Sequence, residues 1–472
     1  QFPVKTLSGS TLIGKLAPYS WSSIYTRVTE GATELNPFSD AATRGRVIQI
    51  SNNSTFVSNG NNKTYTFLVR VQVCDANAAG GLEYNATGDY QICQQYPNGQ
   101  YKPVGLIQKN ATRMRFGAAG YLLDNSGARA GGVIRAKMKS VGPTYAQNSG
   151  TGSNNPYKEW DANTGIYVAH PDAGMLTAAE TDGGNVKQSG VINYLNKFGK
   201  ANGYKSNDPF SELYYASLRS LRNMAPPSAY VSRLDSAMFD GFPVIQSIAN
   251  ESDVNQRPIQ YWCQQSNIVG IADANCHTDV AIPGNTLTGY SGHPTSIGDD
   301  SSINVKNLEE TLKTYSGLDL TTYYRNSTRK NTYHISALAY WANTVDILPS
   351  VDGKPWTTNT QKVKSYFVDV RENGSGSEIN NQMWLGAKYG GFEDLNGDGK
   401  PANDTTWDTN KDTVPDNYFY GSRPDLMIAS LNSIINSALS RNLSSAGATF
   451  SAVTYPSTDS DGGAYLVSYN SK

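Results

Sequence analysis

The stretch that decides the fold is NTYHISALAYWANTVDILP (331–349), followed after a short link by KVKSYFVDV (362–370). The first segment is mostly apolar and long enough for a helix. Pro349 ends it, because proline lacks the amide hydrogen that the next helical turn requires. The second segment is rich in β-branched and aromatic residues and has the length of a strand. A helix that leads directly into a strand is the repeating unit of an α/β layer.

The same alternation is present on the N-terminal side of this unit. DPFSELYYASLRSLRNM (208–224) predicts a helix in which Asp208 is the capping residue and Pro209 lies in the first turn. NIVGIA (267–272) then predicts a short apolar strand. A helix and a strand therefore precede the second helix and the second strand.

Two more helices are predicted on the C-terminal side. EINNQMWLGAKYGG (378–391) ends in a glycine pair, which is typical of a helix C-terminus. RPDLMIASLNSIINSALSR (423–441) has an apolar stripe at helical spacing. The residues expected on its inner face are Leu426, Leu431, Ile434, Ile435 and Ala438. Strands and helices that alternate in this way predict a mostly parallel sheet covered by helices.

The N-terminal part of the chain is richer in strand signals. YTFLVRVQV (65–73) alternates apolar and polar residues, which predicts a strand with one buried side. Residues 113–123 and 131–142 flank a turn-rich link and predict a β-hairpin. Residues 1–64 are only weakly patterned, and residues 145–207 are polar and rich in glycine and asparagine. We expect irregular surface structure over 145–207.

Composition narrows the class of protein. The 472 residues are 38% hydrophobic and carry a formal net charge of −1, so nothing indicates a nucleic-acid partner or an anionic lipid surface. Only 17% of the residues are charged, below the roughly 25% of an average soluble protein. This bias favours a secreted or cell-surface protein. The sequence contains no apolar run of the roughly 18–20 residues that a membrane span requires, and it does not open on a signal peptide.

The four cysteines form two local pairs in the sequence. Neither pair has the spacing of a zinc or redox motif. In an oxidising compartment the simplest interpretation is two disulfides, Cys74–Cys93 and Cys263–Cys276. The alternative is that all four cysteines are reduced.

Residues 394–417, DLNGDGKPANDTTWDTNKDTVPDN, concentrate acidic and amide side chains at alternate positions. The first run fits the opening half of a calcium loop, in which positions one, three and five supply side-chain oxygens. Gly399 permits the sharp turn, and the seventh position offers a backbone carbonyl. The predicted ligands of this run are Asp394, Asn396, Asp398 and Lys400.

A second run repeats the same pattern. Its predicted ligands are Asp408, Asn410, Asp412, Val414 through its carbonyl, and Asp416. Neither run has the glutamate that completes an EF-hand, since Thr405 and Phe419 stand at the twelfth positions. The sequence predicts one or two calcium ions that fold this loop. The alternative is a solvated acidic loop.

Other chemical motifs are weak. The histidines, which are His170, His277, His293 and His334, never lie at metal-ligand spacing from one another or from a cysteine. The sequence has no G-x-S-x-G motif, no phosphate-binding loop and no dinucleotide fingerprint. We therefore expect a protein that is not an enzyme.

Several ordered segments resemble the PilY1/PilC family of type IV pilus tip and biogenesis proteins. The similarity runs with gaps from about residue 65 to the C-terminus. The segments that carry it are VRVQVCD (69–75), CQQYPNGQYKPVGLIQ (93–108), RMRFGAAGYL (113–122), GGVIRAKM (131–138), PFSELYYASLRSLRN (209–223), YWCQQSNIVGIADANC (261–276), HISALAYWANTVDILP (334–349), KVKSYFVDV (362–370), LGAKYGGFEDLNGDGKP (385–401) and VPDNYFYGSRPDLMIASLNSII (414–435).

The resemblance implies a fold and a role. The N-terminal half of the family is similar to a von Willebrand factor A domain, a doubly wound α/β fold with helices on both faces of the sheet. Its C-terminal half is a β-propeller that docks to the pilus machinery. Family members lie at pilus tips on the bacterial surface, help pili to assemble, and adhere to surfaces or host cells, often in a calcium-sensitive way. Minor pilins and a surface or host-cell ligand are the implied partners.

The sequence departs from the family pattern in two places. Metal-binding von Willebrand A domains carry D-x-S-x-S, but residues 124–128 and 299–303 each fail at the last position, and Asp273 is a lone acidic residue after its strand. The chain also stops about where the propeller would begin. We therefore expect a piece of a longer product, whose sheet borrows its first strand from another segment or leaves an edge open there.

These observations predict that the chain has four parts. The boundaries lie where the composition or the motifs change. The parts are an N-terminal segment (1–64), a β-rich part with the hairpin and a polar insertion (65–207), an α/β part with the calcium loops (208–445) and a C-terminal tail (446–472). The predicted function is a calcium-binding pilus tip and assembly protein on the cell surface. The alternatives are a structural subunit of an extracellular filament and a secreted hydrolase.

Overall fold

The chain divides into two compact units, one formed by residues 1–105 with 161–168 and the other by residues 106–160 with 169–472. The computed structural model describes residues 4–8, 11–15, 25–30, 46–69, 74, 93–146, 152–199, 205–320, 328–370, 381–401, 404–422 and 424–444.

The first unit contains small antiparallel sheets. One pairs two strands, a second pairs three strands in sequence order, and a third is a short hairpin. The strands are β1 (Val4–Ser8), β2 (Thr11–Lys15), β3 (Tyr25–Glu30), β4 (Arg46–Ser51), β5 (Thr64–Val69), β6 (Cys93–Gln95) and β7 (Tyr101–Pro103). The strand predicted from residue 65 is confirmed in β5, and residues 70–73 lie outside the described part of the chain.

One of the two predicted disulfides belongs to this unit. Cys74 and Cys93 are joined with an S–S distance of 2.10 Å, and both are buried. The bond ties Cys74 to the first residue of β6. The local pairing that the sequence predicts is confirmed here.

The second unit begins with a short helix and the predicted hairpin. Its elements are α1 (Leu106–Asn110), β8 (Phe116–Gly120), β9 (Val133–Lys139), α2 (Val191–Lys197), α3 (Phe210–Leu221), α4 (Ser236–Phe239), β10 (Ser266–Ala272), α5 (Val305–Ser316), α6 (His334–Thr344), β11 (Val363–Asp369), α7 (Gln382–Gly391), β12 (Tyr418–Tyr420) and α8 (Pro424–Ser444). β8 and β9 pair antiparallel, as the hairpin prediction requires.

The α/β layer of the second unit is built on a parallel sheet. β10 pairs with β11 along its whole length, so that Ser266 lies opposite Val363 and Ala272 opposite Asp369. β12 pairs with the end of β11, also in parallel. The predicted parallel sheet is therefore confirmed for these three strands.

Helices cover both faces of this sheet. Alternate residues of a strand point to opposite faces, and Val363 and Phe367 of β11 join the core formed with α3, α6 and α7. Tyr366 and Val368 point to the other face, where they pack with Ile434 of α8. The second unit is mixed α/β, with helices on both sides of a parallel sheet of three strands in the described residues.

The structure corrects the expectation for residues 145–207. This region contains α2 and three short turns of 3₁₀ or β-bridge structure, and it buries Trp160, Val186 and Val191. Polar composition concealed this order because the buried side chains of the region include the charged residues Glu159, Asp172 and Glu180. Lys139 and backbone amides satisfy their carboxylates.

Helix α3 begins differently from the prediction. Its N-cap is Pro209, and no side chain of the cap hydrogen-bonds to the first turn. Asp279 accepts the Ser211 amide instead, at 2.7 Å. The predicted inner face of the last helix also needs one correction, since Leu426 of α8 is 37% exposed while Ile434 and Ala438 are buried.

The second predicted disulfide is wrong. Cys263 and Cys276 are both free thiols, and Cys276 is buried. The Cys276 sulfur instead accepts a hydrogen bond from Gln382 Nε2 at 2.8 Å. Among the described helices, none is both long enough and apolar enough to cross a membrane.

Candidate functional site

The three strands of the parallel sheet run in the same direction, so the sheet has one end where the strands begin and one where they finish. We call the end at Ser266 and Val363 the amino edge and the end at Ala272 and Asp369 the carboxyl edge. Helix α7 starts at the carboxyl edge, where Asn381 Nδ2 donates to Asp369 Oδ2 at 2.7 Å. It runs back to the amino edge.

The acidic loop that follows α7 therefore lies at the amino edge. Lys364 of β11 donates to the Gly391 carbonyl at 3.2 Å and pairs with Glu393 at 3.1 Å. Lys362 Nζ lies 3.9 Å from Asp394 Oδ2. Two lysines at the start of β11 thus face the start of the acidic loop.

The first predicted calcium run is a tight turn. Asp394 Oδ1 accepts the Gly399 amide at 3.2 Å, and Asp398 Oδ1 accepts the Lys400 amide at 3.0 Å. Asn396 is exposed. Gly399 has a positive φ of 70°, which glycine adopts at little cost, and its carbonyl accepts the hydroxyl of Tyr340. The structure brings this run into a turn in which Asp394 and Asp398 each accept an amide of the same run.

The second predicted run is more closed. Asp408 is buried and accepts the amides of Asp412 at 3.1 Å and Thr413 at 2.8 Å. Asn410 Nδ2 donates to Asp412 Oδ2 at 3.0 Å, and the Val414 amide donates to Asp412 Oδ1 at 2.8 Å. The oxygens of Asp408, Asn410 and Asp412 therefore lie around one small turn.

The last predicted ligand closes the same run from its far end. Asp416 Oδ2 accepts both the amide and the hydroxyl of Thr409, at 3.1 and 2.8 Å. The side chain of Val414 packs against the hydrophobic core. Over the part of the chain that the structure describes, no three His, Cys, Asp or Glu side chains converge as a metal cage. The loop carboxylates are satisfied by amides and hydroxyls of their own loop.

The carboxyl edge holds a second group of acidic residues, which the sequence analysis did not find. Asp279 is fully buried and accepts the amides of Ser211 and Glu212, at 2.7 and 3.3 Å. These amides are the first of α3, where the helix dipole favours a negative charge. Burial, together with the nearby charge of Glu212, nevertheless raises the pKa of Asp279 from 3.8 to about 7.

Glu212 lies in the first turn of the same helix and is also fully buried. Its Oε1 accepts the amides of Val280 and Ala281, at 2.9 and 2.7 Å, and faces His293 Nε2 at 2.8 Å. Its Oε2 accepts the Gly131 amide. One carboxylate thus joins the helix, the hairpin link and the segment after β10.

Two of the other histidines are also held by carboxylates. His334 at the start of α6 lies between Glu309 Oε1 at 2.6 Å and Asn285 Oδ1 at 2.8 Å. Burial lowers the pKa of His334. The charge and hydrogen bond of Glu309, together with the charges of Asp279 and Glu212, outweigh burial, so the net direction of the pKa is upward. His277 pairs with Asp208 at 2.7 Å. Each of these contacts joins segments that are distant in the sequence.

Sequence patterns offered little signal for this group. Glu212 stands 68 residues before Val280 and 81 before His293, so no local spacing relates them. Asp273, the lone acidic residue after the strand, accepts the amide of Asn275. The carboxylate that reaches the α3 terminus is Asp279, six positions further on.

Comparison with known proteins agrees with the resemblance predicted from the sequence. A family profile described as "PilY1 homolog, second domain" matches residues 125–354. A "Type IV pilus biogenesis factor PilY1 homolog" from Xylella fastidiosa is 34% identical over an alignment of 404 residues, and the match covers 78% of this chain and 31% of that protein. The chain is therefore PilY1-like over most of its length. The chain spans about a third of the length of this relative, and no solved structure matches it significantly.

Proposed function

We propose that this chain belongs to a type IV pilus biogenesis factor that acts at the pilus tip on the bacterial surface, without catalysis. The observation that carries the proposal is the 34% identity with the Xylella fastidiosa protein over 404 residues. The low charged fraction and the buried Cys74–Cys93 disulfide support an extracytoplasmic location. Minor pilins are the proposed partners for assembly, and a surface or host-cell ligand is the proposed partner for adhesion.

We further propose that the α/β part is von Willebrand factor A-like. The parallel pairing of β10, β11 and β12 and the helices on both faces support this. In open α/β sheets ligands bind outside the carboxyl ends of the strands. At that position the N-terminus of α3 is occupied by the protein's own Asp279. A ligand for adhesion is therefore expected to bind through another surface.

The proposed role of calcium is structural. Alternate oxygens at 408, 410 and 412 lie around one turn, and these side chains need only exchange amide partners for an ion. The loop joins the end of α7 to β12 and α8. An ion there would stabilise the amino edge of the sheet and the placement of α8.

The pilus role is tested by deletion of the gene followed by complementation and electron microscopy of surface pili. We expect pili to be lost in the deletion strain and restored by the complete gene, with labelled protein at fibre tips. Label along the whole fibre would instead support a structural subunit of a filament. Normal pili in the deletion strain would contradict a role in biogenesis.

The calcium role is tested separately by thermal unfolding in chelator and in excess calcium. Saturation at a hundredfold excess over the dissociation constant stabilises by about 2.7 kcal/mol, so the melting temperature should rise with calcium. Asp412→Ala should remove most of this response, because it deletes a central ligand. Asp352→Ala changes an exposed aspartate in a distant turn and should keep the response. Identical melting in chelator and calcium would show that the loop is only acidic.

A further inference from the structure

A lysine and two carboxylates are buried together at the end of the β8–β9 hairpin. Lys139 is the last residue of β9, and its side chain is 3% exposed. The side chains of Glu159 and Asp172 are 1% and 2% exposed. All three belong to the second unit of the chain.

The three side chains meet at the lysine nitrogen. Lys139 Nζ donates to Asp172 Oδ1, lies 3.1 Å from Glu159 Oε1, and donates to the Tyr157 carbonyl at 2.9 Å. One amine is therefore in contact with two separate carboxyl groups. The contact holds residues 33 positions apart in the sequence side by side.

The carboxyl groups are themselves fixed. The two oxygens of Glu159 accept the amides of Val191 and Ile192, each at 2.7 Å. The Asp172 amide donates to Ser189 Oγ at 3.0 Å. The reacting groups are thus held in contact, which is the condition for a large proximity effect.

One ammonium faces two carboxylates, and an uncompensated buried charge is costly. Burial raises the pKa of Glu159, and the nearby Asp172 adds to the rise. Transfer of a proton from the ammonium to a carboxylate converts the ion pair into a neutral amine and a neutral carboxylic acid. Neutral groups cost less free energy to bury than charged groups do.

We propose that Lys139 and Asp172 become joined by an intramolecular amide bond, with Glu159 as the group that transfers the proton. The ion pair first exchanges a proton, so that a neutral Lys139 amine faces a protonated Asp172 carboxyl. The nitrogen lone pair attacks the carboxyl carbon, and the Glu159 carboxylate takes a proton from nitrogen and gives it to the departing hydroxyl. The products are one amide and one water, and Glu159 is regenerated.

This cross-link goes beyond the proposed pilus role and does not depend on it. It would tie the end of β9 to the segment that precedes the turn at 173–175. An amide is unaffected by reductant, heat or denaturant. The hairpin end would therefore stay attached to that segment when the rest of the unit unfolds.

A neighbouring lysine provides a matched control. Lys137 lies two residues earlier on β9, and its Nζ donates to the Met175 carbonyl and to Ser247 Oγ, each at 3.1 Å. Its nearest carboxylate is that of Glu180, at 3.9 Å. Lys137 lacks the second carboxyl group and the direct contact, so it should remain an ordinary amine.

The test is mass spectrometry of the purified, denatured and reduced chain. We expect a mass about 18 Da below the sequence mass, which corresponds to one lost water. Dehydration at an aspartate–glycine turn gives the same loss, so a protease digest must also show a branched peptide that joins residues 139 and 172. Unlinked peptides containing Lys139 and Asp172 in the native protein would overturn the proposal.

Variants identify the groups that react. Lys139→Arg keeps the positive charge but not the amine, and should abolish the branched peptide, whereas Lys137→Arg should keep it. Asp172→Asn should form the same amide with loss of ammonia, about 17 Da instead of 18. Glu159→Gln should slow the reaction by about a hundredfold or more, since general acid–base catalysis contributes that much. Cross-linking of Glu159→Gln at an unchanged rate would remove Glu159 from the mechanism.

Discussion

Both edges of the parallel sheet hold acidic residues, but these residues differ in burial and in the origin of their hydrogen-bond partners. At the carboxyl edge, Glu212 and Asp279 are fully buried and accept amides from distant parts of the chain. At the amino edge, Asp398 and Asp412 are exposed and accept amides from their own loop. The carboxyl edge is a permanent part of the core, whereas the amino edge keeps oxygens accessible to an ion.

The density of carboxylates along the sequence therefore does not show which carboxylates contribute most to the stability of the fold. The dense run at 394–417 forms turns that are stable by local bonds. The isolated Glu212 joins three separate segments through one side chain. Burial increases the free-energy cost of an unsatisfied polar group, so changes at the carboxyl edge should have the larger effects.

The largest expected effect comes from Glu212→Gln. The substitution replaces a carboxylate with an amide whose NH₂ group faces amide donors, so buried donors lose their acceptor. We expect a loss of about 3–5 kcal/mol in the free energy of unfolding, as when one member of a buried charged network is removed. Urea denaturation measures it. Glu310→Gln, at an exposed position of α5, should change stability by no more than about 0.5 kcal/mol. A loss below about 1 kcal/mol for Glu212→Gln would remove the contrast between the edges.

The next effect is a pH dependence that arises at Asp279. Its folded pKa of about 7 lies above the ordinary 3.8, so the native state binds the proton more tightly than the unfolded state does. Stability is unaffected by this group below pH 4 and falls as pH rises to 7, by up to about 4 kcal/mol.

The Asp279→Asn variant isolates this contribution, because asparagine does not titrate and keeps one oxygen for the Ser211 amide. The difference in unfolding free energy between the variant and the parent should change between pH 4 and 7 in favour of the variant. Urea denaturation across that range measures it. A difference that stays constant over the range would mean that Asp279 is ionised in the folded protein throughout.

A smaller effect is expected within the acidic loop. Asp408 is buried and accepts two amides, so Asp408→Ala in chelator should cost about 1–3 kcal/mol, the usual penalty for unsatisfied buried donors. Asp416→Ala, at an exposed position of the same run, should cost less than about 1 kcal/mol. Equal losses in the two variants would show that burial does not determine how much each loop carboxylate contributes to the free energy of unfolding.

The smallest expected effect leaves stability unchanged and concerns the reactivity of the two free thiols. Burial raises the pKa of Cys276 well above its usual value, whereas Cys263 is partly exposed. Under non-reducing native conditions a thiol reagent should label Cys263 at least about tenfold faster than Cys276, since the thiolate is the reactive form. Urea should make both rates equal. A Cys263–Cys276 disulfide in the native protein would restore the original pairing prediction and contradict this structure.

Local patterns in the sequence were sufficient for the elements of the α/β layer. The apolar segments at 331–349 and 362–370 are α6 and β11, and the alternation around them correctly predicted a parallel sheet. The Cys74–Cys93 bond and the turns of the acidic loop were also found from the sequence. Each of these depends on residues within about twenty positions of one another, where chain geometry limits the alternatives.

Only the tertiary structure decided which polar residues are buried and what satisfies them. Asp279 replaces Asp208 as the acceptor at the start of α3, and Cys276 lies beside Gln382, 106 residues away, instead of bonding to Cys263. Lys139 meets Asp172 only because β9 ends beside the turn that follows Asp172. Such contacts follow from how helices and strands pack in space, and residue type alone does not determine that packing. The sequence therefore determined the elements and the local loop chemistry, while packing determined the charged contacts of the interior.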